Sequence, residues 1–453
     1  MLYAPDEKPV TLSRPPANMR LFLFIWSGQT ASRFGSYITA YALDEFWVWE
    51  QTGVASTSAT IGVMSLLGAV LAALFGGTLV DRLPRKTVMI VSDIMAALGT
   101  VVYLLLFLNG TLQVWHLYIG AAVVYFFAEL HGLAFLAATT MLVPRNQYAR
   151  AGSLRFLTHY GALILAGPLA ALLYRSSGLG VIMLIDLATV TLAVGTTLLV
   201  KIPDPIQSGA GIASRATRWK EISYGFRLIR RTPSLLTFVV VMALFTYAHD
   251  GGEAVYNALV LSRTGNDFGV IGAVGMAAGL GGLLGALLMT AWGGPRRKII
   301  GWLLATLSAG LAKLTFSQGR SVVPWFAAQF WSSVNFPIRG GLKEGLLLAK
   351  ITPDVQGRYF GAELVIMYCV GVLARLTIAP FADAVLEPAM QTGGALVSIF
   401  GGVFGVGAGA GYAVTYAFTS LGIIVSALVG LLLPGLRQLD TRVPDYAYVL
   451  EDE

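Results

Sequence analysis

Long apolar stretches recur along almost the whole chain, and they constrain its fold more than any other feature. Each is about 20 residues long, which is the length that an α-helix needs to cross the hydrocarbon core of a bilayer. We predict about 12 such spans. Their predicted limits are 21–43, 55–79, 87–108, 114–141, 153–174, 179–200, 234–260, 269–291, 299–317, 322–349, 359–387 and 412–436.

The composition supports a membrane protein. Hydrophobic residues make up 56% of the chain and charged residues only 12%, whereas soluble domains carry about 25% charged residues. Lipid therefore has to be the main outer solvent. The single cysteine, Cys369, excludes an intramolecular disulfide and a cysteine-based metal cluster. We expect no cleavable signal peptide, because the apolar stretch after Arg20 is too long for one.

The basic residues of the loops sort to one side of the predicted spans. Only Arg175, Arg263 and Arg320 fall on the other side. The positive-inside rule makes the basic side cytoplasmic. We therefore predict a multi-pass protein of the inner or plasma membrane, with both termini in the cytoplasm.

The longest cytoplasmic loop divides the chain near its middle. We predict an N-terminal six-helix bundle at 1–200, a linker at 201–233, and a C-terminal six-helix bundle with a cytoplasmic tail at 234–453. Within the linker, 219–231 has the pattern of a basic amphipathic helix on the membrane surface, and a solvated loop is the alternative. The Gly-rich segment 393–411 is compatible with either a flexible or a partly inserted loop.

Four landmarks recur at nearly one offset and indicate an internal duplication. Two of them are Thr52-Gly53, which matches Thr264-Gly265, and Arg85-Lys86, which matches Arg297-Lys298, each 212 residues later. Further matches are Pro168 with Pro380, and Pro144 with Pro353. An even number of spans in each copy gives two parallel repeats, with the substrate site between them near the midplane.

The loop after the second span carries a recognisable motif. It contains Gly77, Asp81, Arg82, Arg85 and Lys86. This pattern resembles the signature that major facilitator transporters carry between their second and third helices, although Pro84 stands where glycine is usual. The corresponding loop in the second half, 292–298, lacks the acidic residue.

Other segments are similar to the drug-efflux branch of that family, which includes macrolide-efflux proteins and enterobactin exporters. They are Gly28-Gln29, Gly35-Ser36, Gln51-Thr52-Gly53, Gly167-Pro168 and Gly357-Arg358. The resemblance implies an all-α membrane protein of about 12 helices in two parallel six-helix repeats. It also implies alternating-access export of drug-like or siderophore-like amphiphilic molecules, driven by protons.

The resemblance gives the motif a role in conformational gating. It implies that Asp81 and Arg82 contact the start of the eleventh span near Arg358 when the cytoplasmic side is closed. Such a contact would bias the alternating-access equilibrium. The simpler alternative is a charge cluster that only sets the topology.

Span 7 contains the richest set of polar residues at membrane depth. They are His249, Asp250, Glu253, Tyr256 and Asn257. All but Asp250 fall on one helical face. The adjacent Gly251 and Gly252 suggest a bend. The 212-residue shift relates that face to Tyr37, Tyr41, Asp44 and Glu45 of span 1, so two polar faces are expected to meet at the central cavity.

We predict that Glu253 or Asp250 carries the coupling proton, with His249 as its partner, because ionisable residues inside a membrane are costly and usually functional. The alternative is that these groups are only hydrated near the extracytoplasmic mouth. Span 4 adds Glu129, for which Arg33 of span 1 is a candidate cation or, instead, a site for an anionic substrate.

Several other charged residues receive a lower rank. Glu129 and His131 are two residues apart and cannot both face the cavity. Weaker functional candidates are Lys313, Glu363 and Arg375. Snorkelling is expected to explain Arg339, Lys343 and Glu344 near the cytoplasmic end of span 10.

The sequence argues against other classes of protein. His249 and Glu253 alone do not make a metal site, and there is no phosphate-binding loop for ATP. We expect no enzyme activity, no cofactor, no nucleic-acid partner and a monomer in the bilayer that binds an amphiphilic small molecule. A lysophospholipid flippase of the same fold, a non-transporting receptor or scaffold, and an importer remain as alternatives.

Overall fold

A computed structural model describes residues 19–143, 148–202, 218–351, 353–437 and 439. Nine helices in these ranges are long and apolar enough to cross a membrane. One of them, Leu157–Leu199, is broken at Gly178, whose φ of 77° ends one helix and starts the next. Two further helices, 19–52 and Val322–Lys350, are long enough but more polar. Counting the broken helix twice and adding these two gives the twelve passes predicted.

We number the spanning helices α1 to α12 in chain order. They are α1 at 19–52, α2 at Ala55–Arg82, α3 at Arg85–Leu108, α4 at Val114–Leu142, α5 at 148–177, α6 at 179–199, α7 at Pro233–Thr264, α8 at Phe268–Trp292, α9 at Lys298–Ser317, α10 at Val322–Lys350, α11 at 353–389 and α12 at Ala410–Leu432.

The second set of six helices packs in the same pattern as the first. Helix α2 packs on α4 as α8 packs on α10, and α3 packs on α6 as α9 packs on α12. The two sets meet mainly through α5 against α8 and α2 against α11. The domain limits 1–200, 201–233 and 234–453 stay a prediction.

Small residues determine how closely several helices approach. Gly28 and Gly35 of α1 lie against Thr196 and Thr189 of α6, where any added Cβ would collide. Close approach through small residues is typical of helix packing in membranes.

Helix α7 runs through its two glycines without interruption, and the bend suggested there stays a prediction. Pro233–Thr264 is one continuous helix. A Cβ at Gly251 would lie 2.8 Å from Ile378 of α11, and a Cβ at Gly252 would lie 3.0 Å from Thr419 of α12. The glycines therefore bring α7 close to two neighbours instead of interrupting its hydrogen bonds.

The linker contains a helix at Arg218–Arg231, which we call the linker helix. Its Ile229 is 3% exposed in an apolar cluster of the second half, and its Gly225 lies against the backbone carbonyl of Arg358. This segment is therefore a helix and not a solvated loop, and it packs against the start of α11. We call this end of the bundle the linker end, and the opposite end the far end.

The Gly-rich segment contains a short helix at Val397–Phe404, which we call the loop helix. Phe400 and Phe404 pack against a small core around Leu386 and Met390, while Ile399 is 67% exposed. The segment is therefore a packed structure at the far end, which the sequence left undecided.

Candidate functional site

Glu253 of α7 is the centre of a charged cluster between three helices. Lys313 of α9 donates to Glu253 Oε1 at 2.8 Å and to the hydroxyl of Tyr416 on α12 at 3.1 Å. The Lys313 side chain is 3% exposed and that of Glu253 is 29% exposed. An ammonium at this depth needs such partners, because an unpaired buried charge is very costly.

His249 lies one turn before Glu253, as predicted, but it is not the main partner. Its Nδ1 is 3.8 Å from Glu253 Oε1. The imidazole packs between the rings of Phe245 and Phe336. The sequence ranking placed Lys313 too low because it stands alone on an otherwise apolar helix. That isolation was itself the available signal, since a lone lysine at membrane depth needs a carboxylate.

The two polar faces predicted to meet do so at Glu45 and Asn257. The amide of Asn257 hydrogen-bonds the carboxylate of Glu45, 212 residues earlier. The adjacent Asp44 takes part through its backbone, whose carbonyl accepts from the Ser58 hydroxyl at 3.1 Å. A π-helical turn at Tyr41–Trp47 changes the register of α1 in this segment.

The other aromatic residues of these faces form contacts around the same point. Tyr256 packs edge-on to Phe316 of α9, with 6.4 Å between ring centroids. The Tyr41 ring lies against Gly275 of α8, where a Cβ would meet its hydroxyl. Tyr37 shares a hydrogen bond of 3.2 Å with Nδ1 of His159 on α5. The predicted residues of α1 thus reach α5 and α8 as well as α7.

Asp250 lies on a different side of α7. Its Oδ2 occupies the space beside Gly371 of α11, where a Cβ would collide with it. Arg375, which is also on α11, lies close enough to Asp250 and Glu253 to interact electrostatically with both carboxylates. Its guanidinium reaches α2, where a Cβ at Gly62 would lie 2.7 Å from Nη1. Arg375 therefore brings positive charge to the contact between α2, α7 and α11.

Arg33 and Glu129 are exposed, although both lie within spanning helices. Arg33 is within electrostatic range of Tyr37 and His159, and Glu129 within that of Tyr368 on α11. Arg33 thus has neighbours in its own half and Glu129 has one in the other half, and their place in a central cavity stays a prediction. Among the described residues, no ion pair within 4.0 Å joins them.

Glu129 and His131 point to opposite sides, as the sequence required. His131 is 5% exposed, and its Nε2 is 3.5 Å from Asp93 of α3. Gln29 of α1 donates to the same carboxylate at 2.9 Å. These groups hold the first bundle together, which leaves Glu129 for the cavity.

The cation-rich part of α10 is buried, so snorkelling is the wrong explanation for Arg339. That residue is 7% exposed, its guanidinium carbon lies 3.5 Å from the Phe245 ring centroid, and its Nε donates to Thr306 at 2.9 Å. Lys343 pairs with Glu363 of α11 at 2.6 Å. Aromatic faces and a carboxylate stabilise these cations inside the bundle.

The far end of the bundle is closed by contacts between the halves. Asp383 of α11 accepts from the backbone N–H groups of Ala55 at 3.1 Å and Ser56 at 2.7 Å, at the start of α2. Tyr412 of α12 donates to the same carboxylate at 2.6 Å. The residue before α2, Val54, supplies no side-chain cap. Asp383 therefore provides the N-cap that α2 lacks, from the other half of the protein.

The symmetric junction between α5 and α8 uses different chemistry. Arg175 pairs with Asp267 at 2.6 Å, and Asp267 also caps the start of α8 by accepting from Gly269. Trp49 donates to Asn266 at 2.7 Å beside this pair. With the Asp383 contacts, these bonds close both sides of the far end.

The gating residues of the motif lie at the linker end. Gly77, Asp81 and Arg82 are in the last turns of α2, but their side chains lie outside what the structure describes. Lys86 donates to the carbonyls of Leu198 at 2.7 Å and Val200 at 2.9 Å, and so caps α6 within its own half. This capping role was not expected for a gating residue.

Two of the three arginines proposed for gating, Arg85 and Arg358, lie on opposite halves. Arg85 lies against Met141 of α4. The Arg358 guanidinium lies 5.3 Å from the ring centroid of Tyr224 on the linker helix. Arg358 thus connects α11 to the linker helix, and the gating role of both residues stays a prediction.

Metal binding was not expected, and the described part of the chain contains no group of three or more His, Cys, Asp or Glu side chains that could hold an ion. A helical bundle whose two sets of six helices pack in the same pattern, with charged side chains buried between the helices, has the architecture of a polytopic transporter.

The family follows from comparison with known sequences. The family model described as Major Facilitator Superfamily matches residues 25–374, and the chain belongs to this family. It is a multi-pass membrane transporter and not an enzyme.

The individual relatives named below share less than 30% sequence identity with this chain. Macrolide efflux protein A of Streptococcus pyogenes is 27% identical over 372 residues, covering 80% of this chain and 90% of that protein. Macrolide efflux protein A of Enterococcus faecalis is 28% identical over 311 residues, covering 67% of this chain and 95% of that protein.

Solved structures support the fold. The POT family transporter PepTSo has a TM-score of 0.67 at 11% identity, covering 93% of this chain and 99% of that one. A bacterial homologue of the human lysosomal transporter Spinster, in an inward-facing and unoccupied conformation, has a TM-score of 0.64 at 14% identity, covering 94% and 98%. The predicted fold of two six-helix repeats is confirmed.

Proposed function

We propose that this transporter exports amphiphilic small molecules by alternating access, in exchange for protons, as a monomer in the cell membrane. The observation that carries the proposal is the Glu253–Lys313 pair: the lysine is almost fully buried, while the carboxylate keeps 29% of its side-chain surface exposed. A carboxylate with one side in an ion pair and the other side open can exchange a proton with a cavity.

The proposed coupling runs along one face of α7. Glu253 lies one helical turn from Asn257, which bonds to Glu45 of the other half. Proton binding to Glu253 would remove the ion pair with Lys313 and allow α7 to shift against α9. This shift would loosen the far-end closure, so that proton binding and opening are linked through differential stability of two states.

The orientation is inferred from charge. The positive-inside rule places the linker end, with both termini, in the cytoplasm. The far-end contacts of Asp383 and of the Arg175–Asp267 pair support a cavity that opens on the cytoplasmic side. An exporter loads its cargo from that side.

The cargo is inferred from the cavity wall and the relatives. Arg33 and Glu129 offer charges of opposite sign beside aromatic residues such as Tyr37. An amphiphile with an amine would place its cation near Glu129. Macrolide efflux protein A of two bacteria is among the relatives, so macrolides are the first compounds to test.

The proposal is tested in proteoliposomes with an imposed pH gradient, using macrolides, catecholate siderophores and lysophospholipids. We expect gradient-driven macrolide uptake by wild type, loss of the gradient dependence in Glu253→Gln, and normal uptake in Glu344→Gln, which neutralises an exposed acid on α10. Unchanged gradient dependence in Glu253→Gln would reject the proton site. Lysolipid movement without a gradient would instead support a flippase, and absence of all transport a scaffold.

A further inference from the structure

The outer surface of the second half has a long groove between α9 and α10. One part, with a cavity of about 400 Å³, is lined by apolar residues such as Ile300, Leu304 and Ile338. A second part of about 560 Å³ continues towards the far end. Both parts are lined by Leu304 and Ser308, so they form one continuous groove along α9.

The linker end of this groove is basic. Arg297 lines it directly, next to Trp292, whose side chain is 61% exposed. Arg296 precedes it and is also exposed. Neither arginine has an ion-pair partner in the part of the chain that the structure describes. Tryptophan and arginine are the residues that anchor at the headgroup level of a bilayer.

The dimensions of the groove correspond to one leaflet. Eleven residues separate Arg297 from Ser308, which is roughly 17 Å along an α-helix. Half of a hydrocarbon core is about 15 Å. With Arg297 at the headgroup level, Ser308 therefore lies close to the bilayer midplane. The groove has a charged opening at one depth and an apolar floor over the length of an acyl chain.

Another outer groove, in the first half, lacks this combination. It lies between α3 and α6, is about 230 Å³ and is lined by Ile94, Val101, Thr191 and similar residues, without a basic side chain. The 212-residue shift places Pro84 opposite Arg296, so the pair of arginines at 296 and 297 is not repeated in the first half. A general need for lipid around the bundle would not place two unpaired arginines at only one of these grooves.

We propose that the groove between α9 and α10 is a binding site for an anionic phospholipid. Its phosphate lies at Arg296 and Arg297, and one acyl chain lies along Ile300, Leu304 and Ser308. This site is on the outside of the bundle, so it is separate from the transport cavity and its test does not depend on the proposed cargo.

The first test is native mass spectrometry of the purified full-length protein with equal amounts of phosphatidylglycerol and phosphatidylcholine. Wild type should retain one molecule of phosphatidylglycerol in preference to phosphatidylcholine. The double variant Arg296→Gln/Arg297→Gln should lower this preference by roughly fivefold for each arginine, the usual contribution of one basic residue to anionic-lipid binding. The matched control Arg230→Gln/Arg231→Gln removes two exposed arginines of the linker helix at the same end and should retain the preference.

The second test locates the acyl chain. Phosphatidylglycerol with a photoreactive group in its acyl chain should label peptides from 298–317 and 322–342, and Ser308→Trp, which fills the groove, should abolish that labelling. Glycerol phosphate, which has no chains, should not displace the lipid. Four results would each overturn the proposal. They are equal retention of both lipids by wild type, equal loss of the lipid preference in both double arginine variants, labelling of peptides outside 298–317 and 322–342, and displacement of the lipid by glycerol phosphate.

Discussion

Glu45 and Asn257 occupy the same position in the two sequence repeats, and they hydrogen-bond to each other across the interface between the halves. A residue and its repeat counterpart can meet only near the axis that relates the two copies. The pair therefore marks the point where α1 and α7 cross that axis, one turn beyond the Glu253–Lys313 pair.

We predict that Asn257→Asp opens the far end. It would place two carboxylates in contact, which costs roughly 1–4 kcal/mol at about 4 Å and shifts the open–closed balance by about fivefold or more. The measurement is the distance between spin labels at Asn109 and Ser321, exposed far-end positions on opposite halves, in a Cys369→Ser background.

The swapped variant Glu45→Asn/Asn257→Glu is the control for this prediction. It restores an amide–carboxylate pair in the reverse direction and should return the label distance to that of wild type. An unchanged distance in Asn257→Asp alone would show that the pair does not hold the far end closed.

We predict that Lys313→Met destabilises the protein more than the double variant Glu253→Gln/Lys313→Met. Removing one partner leaves a charge unpaired at membrane depth, and this costs about 3–5 kcal/mol for a buried pair, whereas neutralising both partners is often nearly neutral. The thermal midpoint of the purified protein gives the comparison. Equal destabilisation by both variants would mean that Lys313 acts through packing and not through its charge.

We predict that Asp383→Asn weakens the junction between α11 and α2. Loss of a helix cap costs about 0.5–2 kcal/mol, and the carboxylate also interacts favourably with the N-terminal dipole of α2. The label distance between Asn109 and Ser321 should increase. Tyr412→Phe, which removes one bond to Asp383 and leaves both backbone bonds, should have the smaller effect. The reverse order would contradict the capping role.

We predict that Arg263→Gln loosens the loop helix. Arg263 donates to the carbonyls of Gly319 at 2.7 Å and of Phe404, and so connects the end of α7 with two far-end loops. Hydrogen exchange over 393–411 should become faster. Arg320→Gln changes a more exposed arginine near Gly405 and should have little effect. Protection equal to that of wild type would exclude this role for Arg263.

The number and limits of the spanning helices could be predicted because lipid imposes one length on every helix. The internal symmetry could also be predicted from the sequence. Gly53 and Gly265, 212 residues apart, both end their helices in the left-handed conformation, with φ of 66° and 63°. The meeting of α1 and α7 followed from the same repeat.

The partners of the charged residues were harder to predict from the sequence. The partners of Lys313, Asp383 and Arg339 lie 60, 327 and 33 residues away, beyond the reach of a local sequence pattern. Tertiary packing and local helix geometry decide these contacts, and neither has a periodic signature.

The polarity of α10 has a consequence for synthesis. Its insertion as an isolated segment would expose Arg339 and Lys343 to lipid, at about 2.5–3.5 kcal/mol for each charge at mid-depth. Their stabilising partners are Thr306 of α9, made earlier, and Glu363 of α11, made later. We therefore expect α10 to reach its full stability in the membrane only after α11 has been synthesised, so that insertion of the second half is cooperative.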